Sequence, residues 1–345
     1  MSDNIKNKIN SIINTYKDQL TGKNLKSSDF PVNISNKNGH ISIFIEIDPS
    51  QKEEFNKLSE IIKKDLNKIE SILSVNIVLT SEKSVNHNQK EFRFKINSNK
   101  ILAIASGKGG VGKSTFAVNY AVALKKIGYN VGILDADIYG PSVPRMMGIA
   151  DKPKINQNKK LIPLENYGVK CMSIGFMIDV DTPAIWRGPM VMKALEQMFN
   201  GVDWGSLDYL IIDLPPGTGD AQLSLAQNLK IDGAIIISTP QDIALIDARK
   251  GINMFKKVNI PVIGIIENMS YFICNNCNER HEIFSNGGAK KEAVKFDIAF
   301  LGDLPIDISL RIKSDEGEPI CISSPQSNIA KSYLSIAQNV SKKIN

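Results

Sequence analysis

Residues 107 to 114 read Gly-Lys-Gly-Gly-Val-Gly-Lys-Ser, between the apolar run Ile101-Leu102-Ala103-Ile104-Ala105 and a helix-like stretch from Lys113 to Ile127. Strand, glycine-rich loop, helix is the order of a phosphate-binding loop, and the octet fits G-x-x-x-x-G-K-[ST] at every fixed position. Glycines let the backbone curl until successive N–H groups point inward at phosphates, and the helix start adds the positive end of its dipole. Lys113 then reaches the β- and γ-phosphates. The Ser114 hydroxyl is placed to hold Mg²⁺, a cation that keeps an octahedral oxygen shell and takes few protein ligands. Gly107, Lys108, Gly109, Gly110, Val111, Gly112, Lys113, Ser114 and Thr115 are therefore expected around a nucleoside triphosphate.

A chain of 345 residues is long for one core and suggests two domains. Residues 1 to about 80 read as a small α/β unit. Ile41, Ile43, Ile45 and Ile47 alternate with other residues as in a strand with one apolar face. Phe55, Leu58, Ile61, Ile62, Leu66 and Ile69 follow at helical spacing, then a β-rich run from Ile72 to Leu79. An opening helix is expected before them. Residues 81–100 turn polar and read as a linker, with Phe92, Phe94 and Ile96 suggesting an edge strand.

From 101 to 345 apolar runs alternate with amphipathic stretches, at Val131 to Leu134, Val169 to Ile174, Tyr209 to Leu214, Ala234 to Ser238, Val262 to Ile266 and Ala299 to Leu301. That rhythm predicts an α/β fold with a mostly parallel, doubly wound sheet, whose ligands bind at the carboxyl ends of strands.

Carboxylates stand at those ends. Asp135 and Asp137 follow one strand, and a turn there would aim one at Mg²⁺ and one at water; the competing reading is that an Asp merely caps the turn. Asp213 follows another strand, the Walker B arrangement in which the carboxylate orders Mg²⁺ or its waters. Gly217 would let a backbone N–H sense the γ-phosphate. Asn268, after the strand at Val262, offers an amide donor and acceptor or a simple turn.

Four cysteines, at 171, 274, 277 and 321, are too few for a disulfide framework in a chain of this length. Cys171 lies in an apolar run and reads as a core thiol. Cys274 and Cys277 have the spacing to grip one metal centre, but tetrahedral zinc or a cubane cluster needs four ligands. His281 would raise the count only to three, whereas a twofold axis would bring two pairs together. A redox disulfide motif should open a helix, and this pair follows a strand. Spacing leaves zinc and iron-sulfur both open.

Lys108, directly after the first glycine, narrows the loop further. The octet resembles the deviant Walker A ATPases, which include MinD, ParA, nitrogenase reductase and the Mrp/ApbC iron-sulfur carriers. Asp135-Ala136-Asp137-Ile138-Tyr139-Gly140-Pro141-Ser142, Trp186-Arg187-Gly188-Pro189-Met190, Pro215-Pro216-Gly217-Thr218-Gly219-Asp220 and Asn268-Met269-Ser270 with the cysteine pair look like the Mrp/ApbC subgroup, over roughly 100 to 325.

The resemblance implies an ATPase in which Lys108 crosses a homodimer interface to the partner's nucleotide, acting as an arginine finger does. It implies that Asp137 orients the attacking water in a first switch loop, that Asp213 begins a second, and that Asn268 contacts adenine. It further implies that paired Cys274 and Cys277 hold a bridging 4Fe-4S cluster passed to apo-proteins. The N-terminal unit resembles a small cluster-assembly domain; it has no cysteine, so docking to assembly factors is its expected part. The four-cysteine extension of eukaryotic cytosolic relatives is missing.

Two other readings remain open at this stage. A positioning or partitioning switch of the MinD/ParA kind would bind membrane or DNA, and a zinc-stapled ATPase dimer would use the metal structurally. No apolar run approaches the ~18 residues of a membrane span, and no basic-then-apolar leader opens the chain, so a cytoplasmic protein is expected. Lys and Arg exceed Asp and Glu by 42 to 36 but are scattered, so neither nucleic acid nor membrane is an expected partner.

Overall fold

The structure is a computed structural model that describes residues 9, 11, 12, 15, 16, 32–37, 40–47, 52–69, 72–80, 94, 96–177 and 188–344. Most of the expected opening helix, most of the linker at 81–100, and Trp186-Arg187 lie outside the described residues. The chain divides into two compact units, Met1–Glu91 and Phe92–Asn345.

In the first unit, β1 (Val32–Lys37) runs antiparallel to β2 (His40–Glu46), and β3 (Ser74–Thr80) adds parallel to β2. Ile41, Ile43, Ile45 and Ile47 are all buried, as the period of two requires. Helix α1 (Lys52–Leu66) contributes Phe55, Ile62 and Leu66 to that core. Ile61, expected on the same face, is instead 51% exposed, because one residue along a helix turns the side chain by about 100°.

The second unit is built on eight strands in the order β13-β10-β9-β4-β8-β5-β7-β6. These are β4 (Ser98–Ser106), β5 (Val131–Asp135), β6 (Leu164–Asn166), β7 (Val169–Ser173), β8 (Leu207–Asp213), β9 (Gly233–Ser238), β10 (Val262–Glu267) and β13 (Ala299–Asp303). All neighbours pair in parallel except β6, which closes its edge antiparallel to β7. The six apolar runs and the one before the glycine-rich loop are the seven parallel strands; only β6 had no sequence signal, being three residues without an apolar run.

Helices α2 (Lys113–Lys126), α3 (Val143–Met146), α4 (Gly188–Asn200), α5 (Asp220–Asn228), α6 (Asp242–Lys257), α7 (Gly288–Phe296), α8 (Ile308–Glu316), α9 (Ile320–Ser323) and α10 (Asn328–Ile344) complete the layers. Between Ser270 and α7 a two-stranded ribbon, β11 (Phe272–Ile273) with β12 (Arg280–His281), forms its own small sheet. Helix α2 is buried almost all round, and the ring of Phe116 meets Tyr333 of α10 at 5.7 Å between centroids. Ile329, Tyr333, Ile336 and Val340, the apolar stripe of α10, are thereby spent on the core. No described helix is long and apolar enough to cross a membrane.

Phe94 bridges to Leu229 and stacks on Phe199 at 4.8 Å, so this part of the polar stretch packs with the second unit.

Candidate functional site: a phosphate loop and a cysteine ribbon

Strand β4 delivers the glycine-rich loop at the carboxyl edge of the sheet, where Ser106 Oγ donates to the Lys108 carbonyl at 2.9 Å. Two glycines have no substitute here. A Cβ on Gly107 would stand 2.2 Å from the backbone of Asp247 in α6, and one on Gly112, whose φ is 81°, would stand 2.2 Å from Asn268 Nδ2. Gly109 and Gly110 are exposed, Lys108 is half-buried, and the Val111 side chain is buried beneath the loop. Ser114 and Thr115 open α2, with Thr115 Oγ1 4.0 Å from the Met146 sulfur.

Lys113 points into the protein. Its Nζ lies 2.5 Å from Asp213 Oδ1 and 3.2 Å from Ser114 Oγ, with lysine and aspartate side chains 6% and 0% exposed. The other oxygen, Asp213 Oδ2, is buried without a hydrogen-bond partner. A buried carboxylate oxygen with nothing to accept from is costly unless another group completes it. Together with the Ser114 hydroxyl it suits a hard divalent cation.

Asp135 does what the capping alternative describes. Its Oδ1 accepts from the Asp137 amide at 3.1 Å, and its Oδ2 accepts from the amides of Ser142 at 3.0 Å and Val143 at 3.1 Å and from Ser173 Oγ at 3.1 Å. It thereby folds the loop 136–142 and caps α3 from across the strand end. Burial, and then the Asp213 charge, push its carboxyl up to about 7. Asp137 stays half-buried, accepts only weakly from the Gly140 amide at 3.3 Å, and is likewise raised by burial against the pull of Lys113. Of the two acids, Asp137 is the one free to face a ligand.

The Gly217 amide, expected at a phosphate, here donates to the Ser106 carbonyl at 3.0 Å. Gln222 of α5 donates to the Pro215 carbonyl while its own buried Oε1 has no partner. Asn268 Nδ2 donates to the Val111 carbonyl at 2.8 Å, tying the end of β10 to the glycine-rich loop. The residue in the left-handed region is its neighbour Met269, at φ 56°, so the turn does not depend on the Asn.

Glu267, beside Asn268 and 1% exposed, is a pin. Oε1 accepts from Ser270 Oγ at 2.6 Å and the Gly287 amide at 2.8 Å, and Oε2 from the Ala289 amide at 2.7 Å. One buried carboxylate thus fixes both ends of the segment 271–286, which carries the cysteine pair, and caps α7.

In that segment the Cys274 amide donates to the Glu279 carbonyl at 2.9 Å and the Asn278 amide to the Cys274 carbonyl at 2.8 Å, making a tight knuckle between β11 and β12. Cys274 is half-buried and Cys277 exposed, both as free thiols. The amides of Cys277 and Asn276 point at the Cys274 sulfur and, with the Cys277 thiol, hold it below the usual thiol range. Arg280 lies over the Tyr271 ring at 3.8 Å and 3.6 Å from Asp303, fastening the ribbon to the unit. Cys171 and Cys321 are fully buried, their thiols pushed up by burial; neither joins the pair.

The family described as ParA, NUBPL iron-transfer P-loop NTPase, matches residues 97–341. The chain belongs to this family. As a P-loop NTPase of the NUBPL iron-transfer family it is an ATPase, and the resemblance carried by its motifs is confirmed. The "Iron-sulfur protein required for NADH dehydrogenase, mitochondrial" of Arabidopsis thaliana is 58% identical over 243 residues, 70% of this chain and 78% of the relative. The "Iron-sulfur cluster carrier protein" of Aquifex aeolicus is 53% identical over 244 residues, 70% of this chain and 67% of the relative.

Among solved structures, the nucleotide-binding protein of Archaeoglobus fulgidus in complex with ADP, with cobalt found in it, aligns with TM-score 0.57 and 41% identity, over 64% of this chain and 87% of that one. The cell-division ATPase MinD of Pyrococcus furiosus aligns with TM-score 0.53 at 21% identity, over 71% and 99% of the two chains, a likeness of fold alone.

Within the NUBPL iron-transfer fold, three residues stand out that sequence reasoning missed: Glu267, Gln222 and Glu279. Each is an ordinary polar residue until the fold closes on it. Glu267 had a signal, a carboxylate ending an apolar strand like Asp135 and Asp213, but its partners lie up to 22 residues away.

Proposed function

We propose that this ATPase carries iron-sulfur clusters: two chains pair face to face, hold one 4Fe-4S cluster between their Cys274 and Cys277 thiolates, and pass it to apo-proteins as ATP is hydrolysed. The observation that carries the reading is the cysteine knuckle. It presents two thiols at the surface, one favoured as thiolate by backbone amides, on a fold whose own buried cysteines are out of reach. A cubane wants four such ligands, so two chains supply the set and parting them removes half of it, which makes release easy. Relatives named as iron-sulfur cluster carrier and transfer proteins support the same role.

At the nucleotide, Ser114 and the orphaned Asp213 Oδ2 suit Mg²⁺, which when bound neutralises phosphate charge. Lys113 would exchange Asp213 for the phosphates, Asp137 would orient water, and the half-buried Lys108 would reach the partner's nucleotide. Asn268, already against the loop, would read adenine. A cytoplasmic location belongs to this reading. The positioning-switch alternative gains nothing from the structure, since the α10 stripe it would insert in a membrane is buried.

The test is anaerobic reconstitution with iron and sulfide. Cys274→Ala and Cys277→Ala should each abolish cluster binding while ATP binding is retained. A full cluster in either variant removes the proposal.

A further inference from the structure

The ribbon holds more than two thiols. Cys277 Sγ, a Glu279 carboxylate oxygen and a His281 ring nitrogen all lie within 4.8 Å of one another, and all three residues are exposed. The grouping follows from the fold. Glu279 stands directly before β12 with its carboxylate 3.9 Å from His281 Nε2, while Arg280 between them turns away to stack on Tyr271 and pair with Asp303. The guanidinium, the one cation in this run, is thereby held away from the ligand face. Cys274 completes the set from across the knuckle, its sulfur in hydrogen-bond contact with the Cys277 thiol.

Two sulfurs, an imidazole and a carboxylate are the donors of a tetrahedral site for a borderline divalent ion. Bonds of about 2.0–2.3 Å put tetrahedral ligands roughly 3.3–3.8 Å apart, so Cys277, Glu279 and His281 need to close by about an ångström, and Cys274, outside that group of three, has to swing in beside Cys277.

We propose that a single chain takes one such ion, Zn²⁺, Co²⁺ or Fe²⁺, at Cys274, Cys277, Glu279 and His281, and that this one-chain site excludes the two-chain cluster because both use the same thiols. It rests on the cluster reading only for that exclusion; the metal site stands on the ribbon alone. Its consequence is a guarded carrier: a chain charged with a lone ion cannot join a cluster cage until the ion is withdrawn, and a chain without a partner still has its thiolates ligated.

The test is a Co²⁺ titration of the 345-residue chain, without nucleotide and under anaerobic conditions, read by visible absorption. One tetrahedral Co²⁺ per chain is expected. Glu279→Ala and His281→Ala, both on the surface, should each weaken binding at least about tenfold, with unchanged melting temperature and unchanged 4Fe-4S loading. Zinc-loaded wild type should refuse cluster until a chelator is added. Half a Co²⁺ per chain, no Co²⁺ binding, affinity indifferent to Glu279→Ala and His281→Ala, or cluster loading in the presence of bound zinc overturns the proposal. Wild type that binds Co²⁺ as expected but never a cluster leaves this site standing and sinks the carrier reading instead.

Discussion

Lys113 Nζ and Asp213 Oδ1 stand 2.5 Å apart in a pocket from which water is almost wholly excluded. The lysine of the phosphate loop and the carboxylate at the end of β8 neutralise each other, so each is the other's buried counter-charge. Breaking one half leaves the other buried and unpaired, which typically costs about 3–5 kcal/mol. Asp213→Ala and Lys113→Ala should each destabilise the nucleotide-free protein on that scale, and the double variant should recover part of the loss. A double-mutant cycle by urea denaturation measures it; simple additivity would show the pair is not coupled. ATP hydrolysis should be lost in all three.

Asp135 gives a pH signature. Its carboxyl is pushed up to about 7, against an ordinary value near 4, by burial and the Asp213 charge. Between those values the native state keeps a proton that the unfolded chain releases. Stability of the nucleotide-free protein therefore falls as pH rises from about 4 to about 7, by on the order of a few kcal/mol, and this contribution is flat above. Asp135→Asn, which cannot titrate, should show a shallower fall in denaturation midpoints between pH 5 and 7.5. Parallel profiles for the two proteins would contradict it.

Glu267 holds Ser270, Gly287 and Ala289 together while its neighbour Asn268 holds Val111, so the nucleotide loop and the cysteine segment share one strand end. Glu267→Gln replaces an acceptor with a donor facing an amide, costing roughly 1–3 kcal/mol. Hydrogen exchange should quicken across 271–286 and at the start of α7 while β4, β8 and β9 stay protected. A uniform loss of protection would mean the carboxylate merely supports the core.

The thiols should sort by environment. Amides of Cys277 and Asn276 aimed at Cys274 lower it, while burial drives Cys171 upward and Cys321 up to about 12. In metal-free protein, iodoacetamide at pH 7 should modify Cys274 and leave Cys171 and Cys321 unmodified, with the Cys274 rate rising through a midpoint below that of an unfolded cysteine peptide measured alongside. Peptide mapping by mass spectrometry reads it; a midpoint at or above that value would contradict the amide nest.

Much of this was legible in the chain because the physics is local. A glycine loop between strand and helix, acids closing apolar runs and two cysteines three apart all sit within short windows. What stayed hidden depends on distant partners. Asp135 read first as a ligand-facing acid, with capping as the competing reading, until Ser173, 38 residues on, arrived at its second oxygen. The Gly217 amide, expected to face a phosphate, is taken by Ser106 because adjacent strand ends bring that carbonyl within reach. Glu279 looked like any surface acid until the ribbon brought its carboxylate beside His281 and Cys277.

The proposed cage of two chains around one cluster is tested most directly by native mass spectrometry of anaerobically reconstituted protein with MgATP. The cluster-bearing ion should have the mass of two chains plus a single Fe₄S₄ unit, with no cluster on lone chains. A cluster retained by one chain, or one on each chain of the pair, would contradict it.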